Sequence, residues 1–242
     1  MLYLVGLGLN GEKSLTLEGG DALKKCDIVY LENYTSIFHG DVADLNKLIG
    51  KDVKLANRTL MENMVSGIID DAKDKNTGIC ILGDVLSATT HISILQEAKE
   101  KNIPVKVIHN TSILNAISNT GLSLYNFGKT TSIPFTQKAS TPCDVIKGNG
   151  KLHTLVLLDI DPKNKKTMTY VEGLNKLLDV DSNILTDRFI VTCAGIGTDK
   201  EEIHFGKVND LLSKGVDVYP QCFVVVGDMH FVEEEYLVKF KV

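Results

Sequence analysis

The chain has 242 residues, 43% hydrophobic and 24% charged, with a formal net charge of -5, which are the values of a folded globular protein large enough for two modest domains or one large one. Its acidic balance argues against nucleic-acid binding, and its strongest basic cluster, Lys163-Asn164-Lys165-Lys166, reads as a solvated loop. No apolar run reaches the ~18 residues of a membrane helix, and the chain opens on a strand instead of the charged and apolar regions of a signal peptide, so a cytoplasmic, membrane-free protein is expected.

The first half alternates. Short apolar runs predict strands at 2–6, 28–32, 53–55, 78–82 and 104–108, and helical spacing predicts helices at 15–25, 41–49, 61–73 and 91–101. This rhythm, with short linkers, predicts a mainly parallel sheet with helices on both faces. Thr16 is a candidate cap for the first helix. Thr59-Leu60-Met61-Glu62 has the form of a capping box with Thr59 at the cap. Met61, Met64, Val65, Ile68 and Ile69 form one apolar stripe, core or interface, that offers a surface for a second copy of the chain.

After residue 120 the rhythm changes. Leu122–Tyr125 and Thr131–Ile133 are short segments, and 136–151, polar with Pro142 and two glycines, reads as a loop. A strong strand is predicted at 152–158, a helix at 168–178, strands at 188–194, 203–207 and 222–226, and a helix at 208–214. Fewer helices between strands predict a mixed sheet. The expected organisation is two α/β domains, 1–110 and 111–242.

The five cysteines form no C-x-x-C pair and fall mostly in apolar runs, which reads as buried free thiols in a reducing compartment. Six scattered histidines without H-E-x-x-H give no ground for a metal site.

Chemistry is expected where loops follow strands, because ligands of open α/β sheets bind at the carboxyl ends. The run Gly6-Leu7-Gly8-Leu9-Asn10-Gly11 has dinucleotide-fingerprint spacing, but Glu12 and Lys13 separate it from the next helix signal, which weighs against a nicotinamide or flavin site. Gly83-Asp84-Val85-Leu86-Ser87 follows the fourth strand and His109-Asn110-Thr111-Ser112-Ile113 the fifth. Asp84 either accepts a hydrogen bond from a ligand ammonium or hydroxyl or caps the next helix, and Ser112 has the same two readings. His91 and His109 read as hydrogen-bonded supports. In the second half, Leu158-Asp159 and Ala194-Gly195-Ile196-Gly197 close strands. No nucleophile–base–orienter set and no phosphate-binding loop is present.

Met1–Leu9, Tyr30–Ser36, Gly83-Asp84 through His91, Val107–Ile113, Leu122–Gly128 and His153–Ile160 together resemble, in order and over nearly the whole chain, the diphthine synthase family. That family belongs to the tetrapyrrole-methylase-like class of S-adenosylmethionine-dependent methyltransferases. The resemblance implies a two-domain α/β fold with the cofactor in the cleft between domains, a homodimer, and repeated methylation of the modified histidine of elongation factor 2. It implies cofactor contacts at Leu9, Asp84, Ser87, Ser112, Ile113, Leu158, Ile196 and Cys222, with S-adenosyl-L-homocysteine as product. It names no catalytic base. The chain departs from the family at Val85, where proline is usual, at Ser87, where glycine is usual, and at Cys222, where histidine is usual. A sibling tetrapyrrole or RNA methyltransferase and a catalytically weakened cofactor binder remain as alternatives.

Overall fold

The computed structural model describes residues 1–63, 65–161 and 164–242; Met64 of the apolar stripe and Lys163 of the basic run lie outside them. The chain divides into two compact units, Met1–Ala116 and Ile117–Val242.

The first unit carries strands β1 (Leu2–Gly6), β2 (Ile28–Glu32), β3 (Val53–Ala56), β4 (Thr77–Ile81) and β5 (Val105–Ile108). They form one parallel sheet in the order β3-β2-β4-β1-β5. Its helices are α1 (Leu17–Lys24), α2 (Val42–Ile49), α3 (Arg58–Asn63), α4 (Val65–Asp71), α5 (Ile92–Glu100) and the one-turn α6 (Ile113–Ala116).

Side chains alternate across a strand, and this sheet uses both faces. Leu2, Leu4, Ile79 and Ile81 pack with Met61, Val65 and Ile68 of α3 and α4 and with Ile94 of α5. On the other face Val5, Val29, Leu31 and Cys80 pack with Leu23 of α1 and with Leu45 and Ile49 of α2. The helix after β1 therefore covers one face and the helix after β4 the other. β1 and β4 are neighbours, so the chain parts in opposite directions between them, which opens a crevice at their carboxyl ends.

The local chemistry explains the helix starts. Thr16 caps α1, its hydroxyl accepting from the Gly19 amide at 3.0 Å, and Asp41 caps α2 through the Ala43 amide, an arrangement that contributes about 1 kcal/mol. Thr59, the expected cap, lies inside the helix instead of at its start, and the side chain of Glu62, its expected partner, lies outside what is described. Helix α3 begins at Arg58 and Asn57 is its cap, its side-chain oxygen accepting from the Leu60 amide at 3.0 Å, because Asn two residues earlier meets the first free amides first. The described part of the apolar stripe is internal: Met61, Val65, Ile68 and Ile69 are buried within their own unit, so they offer no face to a second copy.

The second unit carries β6 (Thr131–Ile133), α7 (Ser140–Asn149), β7 (Thr154–Leu158), the short pair β8 (Ile160–Asp161) and β9 (Lys166–Thr167), α8 (Tyr170–Leu178), β10 (Ile190–Ala194), β11 (Glu202–Gly206), α9 (Val208–Leu212), β12 (Gln221–Val225) and α10 (Phe231–Leu237). Its main sheet runs β11-β10-β12-β7-β6. Only the β6–β7 pair is parallel; the others are antiparallel, so the sheet is mixed as expected.

The loop expected over 136–151 is instead largely helix α7. Pro142 lies in its first turn, where a missing N–H costs nothing because those amides have no intrahelical acceptor. Pro142, Cys143 and Ile146 form its buried face. Helix α10 was not anticipated either. His230 and Glu233 cap it reciprocally, with Glu233 accepting from the His230 amide at 2.7 Å. Helix α8 has the same device, a capping box of Thr169 and Glu172. All five cysteines are free and buried.

Candidate functional site

Three loops of the first unit meet at the carboxyl edge of its sheet. The loop after β1 passes beside the one after β4. Gly8 and Gly83 exchange backbone hydrogen bonds, Gly8 N to Gly83 O at 3.0 Å and Gly83 N to Gly8 O at 2.9 Å. Gly8 has φ +71°, and a Cβ there would sit 2.7 Å from Ser14 Cβ, so only glycine fits. A 3-10 turn over Gly11–Ser14 follows, and α1 opens only at Leu17. The third glycine thus opens only a single 3-10 turn and not the α-helix that a dinucleotide loop requires.

Asp84 is the centre of the arrangement. It is 5% exposed and accepts four hydrogen bonds. Oδ1 takes the Leu86 amide at 3.0 Å and the Ser87 hydroxyl at 2.8 Å. Oδ2 takes the Asn110 amide at 3.0 Å and lies 2.8 Å from His109 Nδ1. Burial pushes the Asp84 carboxyl up, but the hydrogen bonds from the Asn110 amide, the Ser87 hydroxyl, the Leu86 amide and His109 outweigh it and hold the pKa at about 2. An ionised carboxylate has no proton to give, so His109 Nδ1 is the donor.

This corrects the cap reading of Asp84. Helix α5 starts at Ile92 with His91 before it, too far along the chain for Asp84 to reach its amides. Ser87 is absorbed into the same ring, its hydroxyl turned to Asp84. Val85 is fully buried in the core, filling with an aliphatic side chain the place where proline is usual. Ser112 does cap: its hydroxyl accepts from the Leu114 amide at 3.1 Å while its own amide donates to Asn115 Oδ1 at 2.8 Å.

Asp84, Ser87, His109, Asn110, Ser112 and Asn115 line a cavity of about 330 Å³, with Leu86 and Leu114 as its apolar wall. It falls in the size range of small-molecule sites. Of the first-unit candidates it brings together Asp84, Ser87 and Ser112. Leu9 and Ile113 are half-buried beside these loops but do not line it. His109, Asn110 and Asn115 are the polar lining residues that the expected contact set omits. The signal for His109 and Asn110 is the run His109–Ile113 itself, which follows the end of β5, whereas Asn115 lies inside α6 and has no such signal.

The second unit collects its candidates at one end of its sheet. Leu158 ends β7 and Ile196 follows the end of β10, whereas Cys222 lies at the start of β12. Because β12 runs antiparallel to both neighbours, Cys222 lies opposite Leu157 and Cys193, at the same end as the other two. Ile196 is flanked by Gly195 (φ +56°) and Gly197 (φ +79°). Among the described residues no group of three or more His, Cys, Asp or Glu is placed to hold a metal ion, and no helix is long and apolar enough to cross a membrane.

Comparison with known proteins agrees with this architecture. The family of tetrapyrrole (corrin/porphyrin) methylases matches residues 1–212. The diphthine synthase of Methanococcus aeolicus is 41% identical over 98% of this chain and 96% of its own length. The diphthine methyl ester synthase of Dictyostelium discoideum is 34% identical over 100% of this chain and 98% of its own. A crystal structure of diphthine synthase superimposes with a TM-score of 0.93 at 31% identity, covering 99% of this chain and 95% of that one. A parallel sheet joined in sequence to a mixed one, a crevice between β1 and β4, and likeness along the full length place the chain in the tetrapyrrole methylase family, among the diphthine synthases.

Proposed function

We propose that this chain is an S-adenosylmethionine-dependent methyltransferase that acts repeatedly on the modified histidine of elongation factor 2. The observation that carries this reading is likeness to the diphthine synthases along the whole chain, rather than over one motif. The first-unit cavity is chemically suited to the cofactor. Its wall holds a carboxylate with a pKa of about 2 and its lining contains no Lys or Arg. Such a wall favours a cationic sulfonium ligand and disfavours the pyrophosphate of a dinucleotide.

When bound, S-adenosylmethionine supplies an electrophilic methyl group. The protein's contribution is to orient and desolvate, worth up to about 7–11 kcal/mol in favourable cases. Asp84 supplies negative charge; Ser87 and Ser112 shape the wall; Gly8 and Gly83 let backbone groups approach closely. Leu9, Asp84, Ser87, Ser112 and Ile113 of the first unit and Leu158, Ile196 and Cys222 of the second are the proposed contacts. The acceptor amine must give up its proton to solvent before its lone pair can attack the methyl group, and no residue is assigned as the base.

An elongation-factor acceptor supports a cytoplasmic location, and the family resemblance supports a homodimer. The test is mass spectrometry of elongation factor 2, with and without the aminocarboxypropyl group on its histidine, after incubation with enzyme and methyl donor. Stepwise gains of one methyl, ending at three or four, are expected only on the modified form. Methylation of a tetrapyrrole with none on the factor would overturn the acceptor assignment. Light scattering giving a 26.5 kDa particle at micromolar concentration would overturn the dimer.

A further inference from the structure

Asn110 makes four hydrogen bonds at the site, three through its side chain and one through its backbone amide, and all of them are internal. Its Nδ2 donates to Gly6 O and to Ser14 O, each at 2.9 Å. Its Oδ1 accepts from the Thr111 amide at 2.7 Å. Its backbone amide donates to Asp84 Oδ2. Gly6 and Ser14 are the two ends of the loop that carries Gly8 and Leu9, so one side-chain amide closes that loop at its base. The fit is tight. A Cβ on Gly6 would lie 2.9 Å from Asn110 Cβ, and one on Gly8 would lie 3.0 Å from Asn110 Oδ1. Within the loop Ser14 continues the chain of contacts, its hydroxyl accepting from the Asn10 amide at 3.1 Å.

We propose that Asn110 is the positioning residue of the cofactor site, locking the Gly6–Ser14 loop in register with the Asp84 and Ser112 loops before ligand arrives. Both amide hydrogens are used on carbonyls, so Asn110 has no side-chain N–H left to offer a ligand. Its action is preorganisation: the ordering of the loop is complete in the free protein and is not charged against binding. The proposal rests on the methyltransferase reading for the identity of the ligand, but the loop's order is measurable without any ligand.

The experiment combines hydrogen exchange with calorimetry, using S-adenosylhomocysteine as the probe. In the unliganded wild type, the Gly8 and Asn10 amides are expected to be protected, with little further slowing when the probe binds. Asn110→Asp keeps the acceptor toward Thr111 but turns a carboxylate oxygen toward the Gly6 and Ser14 carbonyls. It is expected to speed exchange at Gly8 and Asn10 and to weaken probe affinity at least about tenfold, with KM for the protein acceptor unchanged. Should Asn110→Asp fail to fold, the wild-type exchange pattern and Asn110→Ala carry the same test. Rapid exchange of those amides in free wild type would overturn the proposal. So would lost affinity with unchanged exchange, which would mean that Asn110 contacts the ligand directly, or unchanged affinity with faster exchange. A wild type that does not bind the probe would instead overturn the methyltransferase reading, leaving exchange in the variant to decide the loop's dependence on Asn110.

Discussion

In the first unit all strands run the same way, so the loops after β1, β4 and β5 emerge at one edge, and the buried polar network lies among the candidate contacts. In the second unit the two are separated. Leu158, Ile196 and Cys222 gather at one end of the β7-β12-β10 ladder. The polar network lies at the other end: His153 precedes β7, and its Nδ1 accepts from the Gly227 amide beyond β12 at 3.0 Å, while Glu233 accepts from the Ser123 and His230 amides, each at 2.7 Å. A buried network of polar groups is therefore not by itself a site. Around Asp84 it borders a cavity, whereas around Glu233 it fastens α10 and the Ser123 turn to the sheet. The comparison also gives the two units different chemistry, hydrogen-bonding groups in the first and apolar side chains in the second.

The largest expected effect is at Asp84. Asp84→Ala removes a charge from the cavity wall and leaves the Leu86 amide, the Ser87 hydroxyl, His109 and the Asn110 amide without their acceptor. Affinity for S-adenosylhomocysteine should fall roughly ten- to a hundredfold, and stability should fall by about 2–4 kcal/mol. Calorimetry and denaturant melting on the same variant measure both. Full affinity in a destabilised protein would reduce Asp84 to the role Glu233 has.

Glu233→Ala provides the contrast. It strands the Ser123 and His230 amides and should cost about 2–3 kcal/mol of stability, leaving affinity for the same ligand within about twofold, since the network faces away from Leu158 and Cys222. A tenfold loss of affinity without unfolding would show that the two ends of the second sheet are coupled and would end the contrast.

The difference between the units also decided what was legible from sequence. Parallel strands buried on both faces read as continuous apolar runs, so β1, β2 and β4 and the loops after them were recognisable. Asp84 stood out as a carboxylate at the end of such a run. The second unit hid more. Helix α7 has few apolar residues, with Pro142 in its first turn and Gly148 near its end, and polar composition outweighs so sparse a face. Helix α10 depends on a cap, His230, that is not among the usual capping residues. Cys222 stands at a strand start, which becomes part of the candidate end only once the antiparallel order is known. At Asp84, local sequence offered ligand contact or helix cap, because the long-range acceptance from His109 and Asn110 leaves no local signature.

Ser87 gives a smaller, sharper test of the first unit. Ser87→Gly restores the residue usual in the family and removes one of the four donors to Asp84. With three donors left, the expected cost is about 1 kcal/mol of stability and less than about a threefold change in cofactor affinity. Measured by melting and calorimetry, a loss of affinity beyond tenfold would place the Ser87 hydroxyl on the ligand instead of on Asp84.

The last test is the pH dependence of stability, in which His153 of the second unit and Asp84 of the first act in different windows. His153 is completely buried. Burial lowers its pKa from 6.5, against the opposing charges of Glu233 and Asp228. The Gly227 amide points at Nδ1, so the neutral ring carries its proton on Nε2, and a second proton would displace that amide. The unfolded chain takes up this proton as pH falls through about 6.5 and the folded chain resists it, so stability is lost from pH 6.5 downward until the folded pKa is reached. One such group contributes a slope of at most about 1.4 kcal/mol per pH unit. His204, also lowered by burial and by Lys214, acts in the same direction, so the contribution of His153 is the difference between wild type and His153→Asn. Asp84 acts in a lower window. Its folded pKa of about 2 lies below the ordinary 3.8, so it stabilises above 3.8 and loses that contribution as pH falls toward 2. Denaturant melts from pH 7 to pH 3 should therefore show a first decline that His153→Asn reduces and a second, starting near pH 4, that Asp84→Asn reduces but does not abolish, because Glu172 and Glu233, whose hydrogen bonds outweigh burial and hold them below the ordinary carboxylate range, lose their contributions in the same window. A wild-type curve flat between pH 6.5 and 5, or a first decline unchanged in His153→Asn, would show that protonation of His153 is not what weakens the second unit.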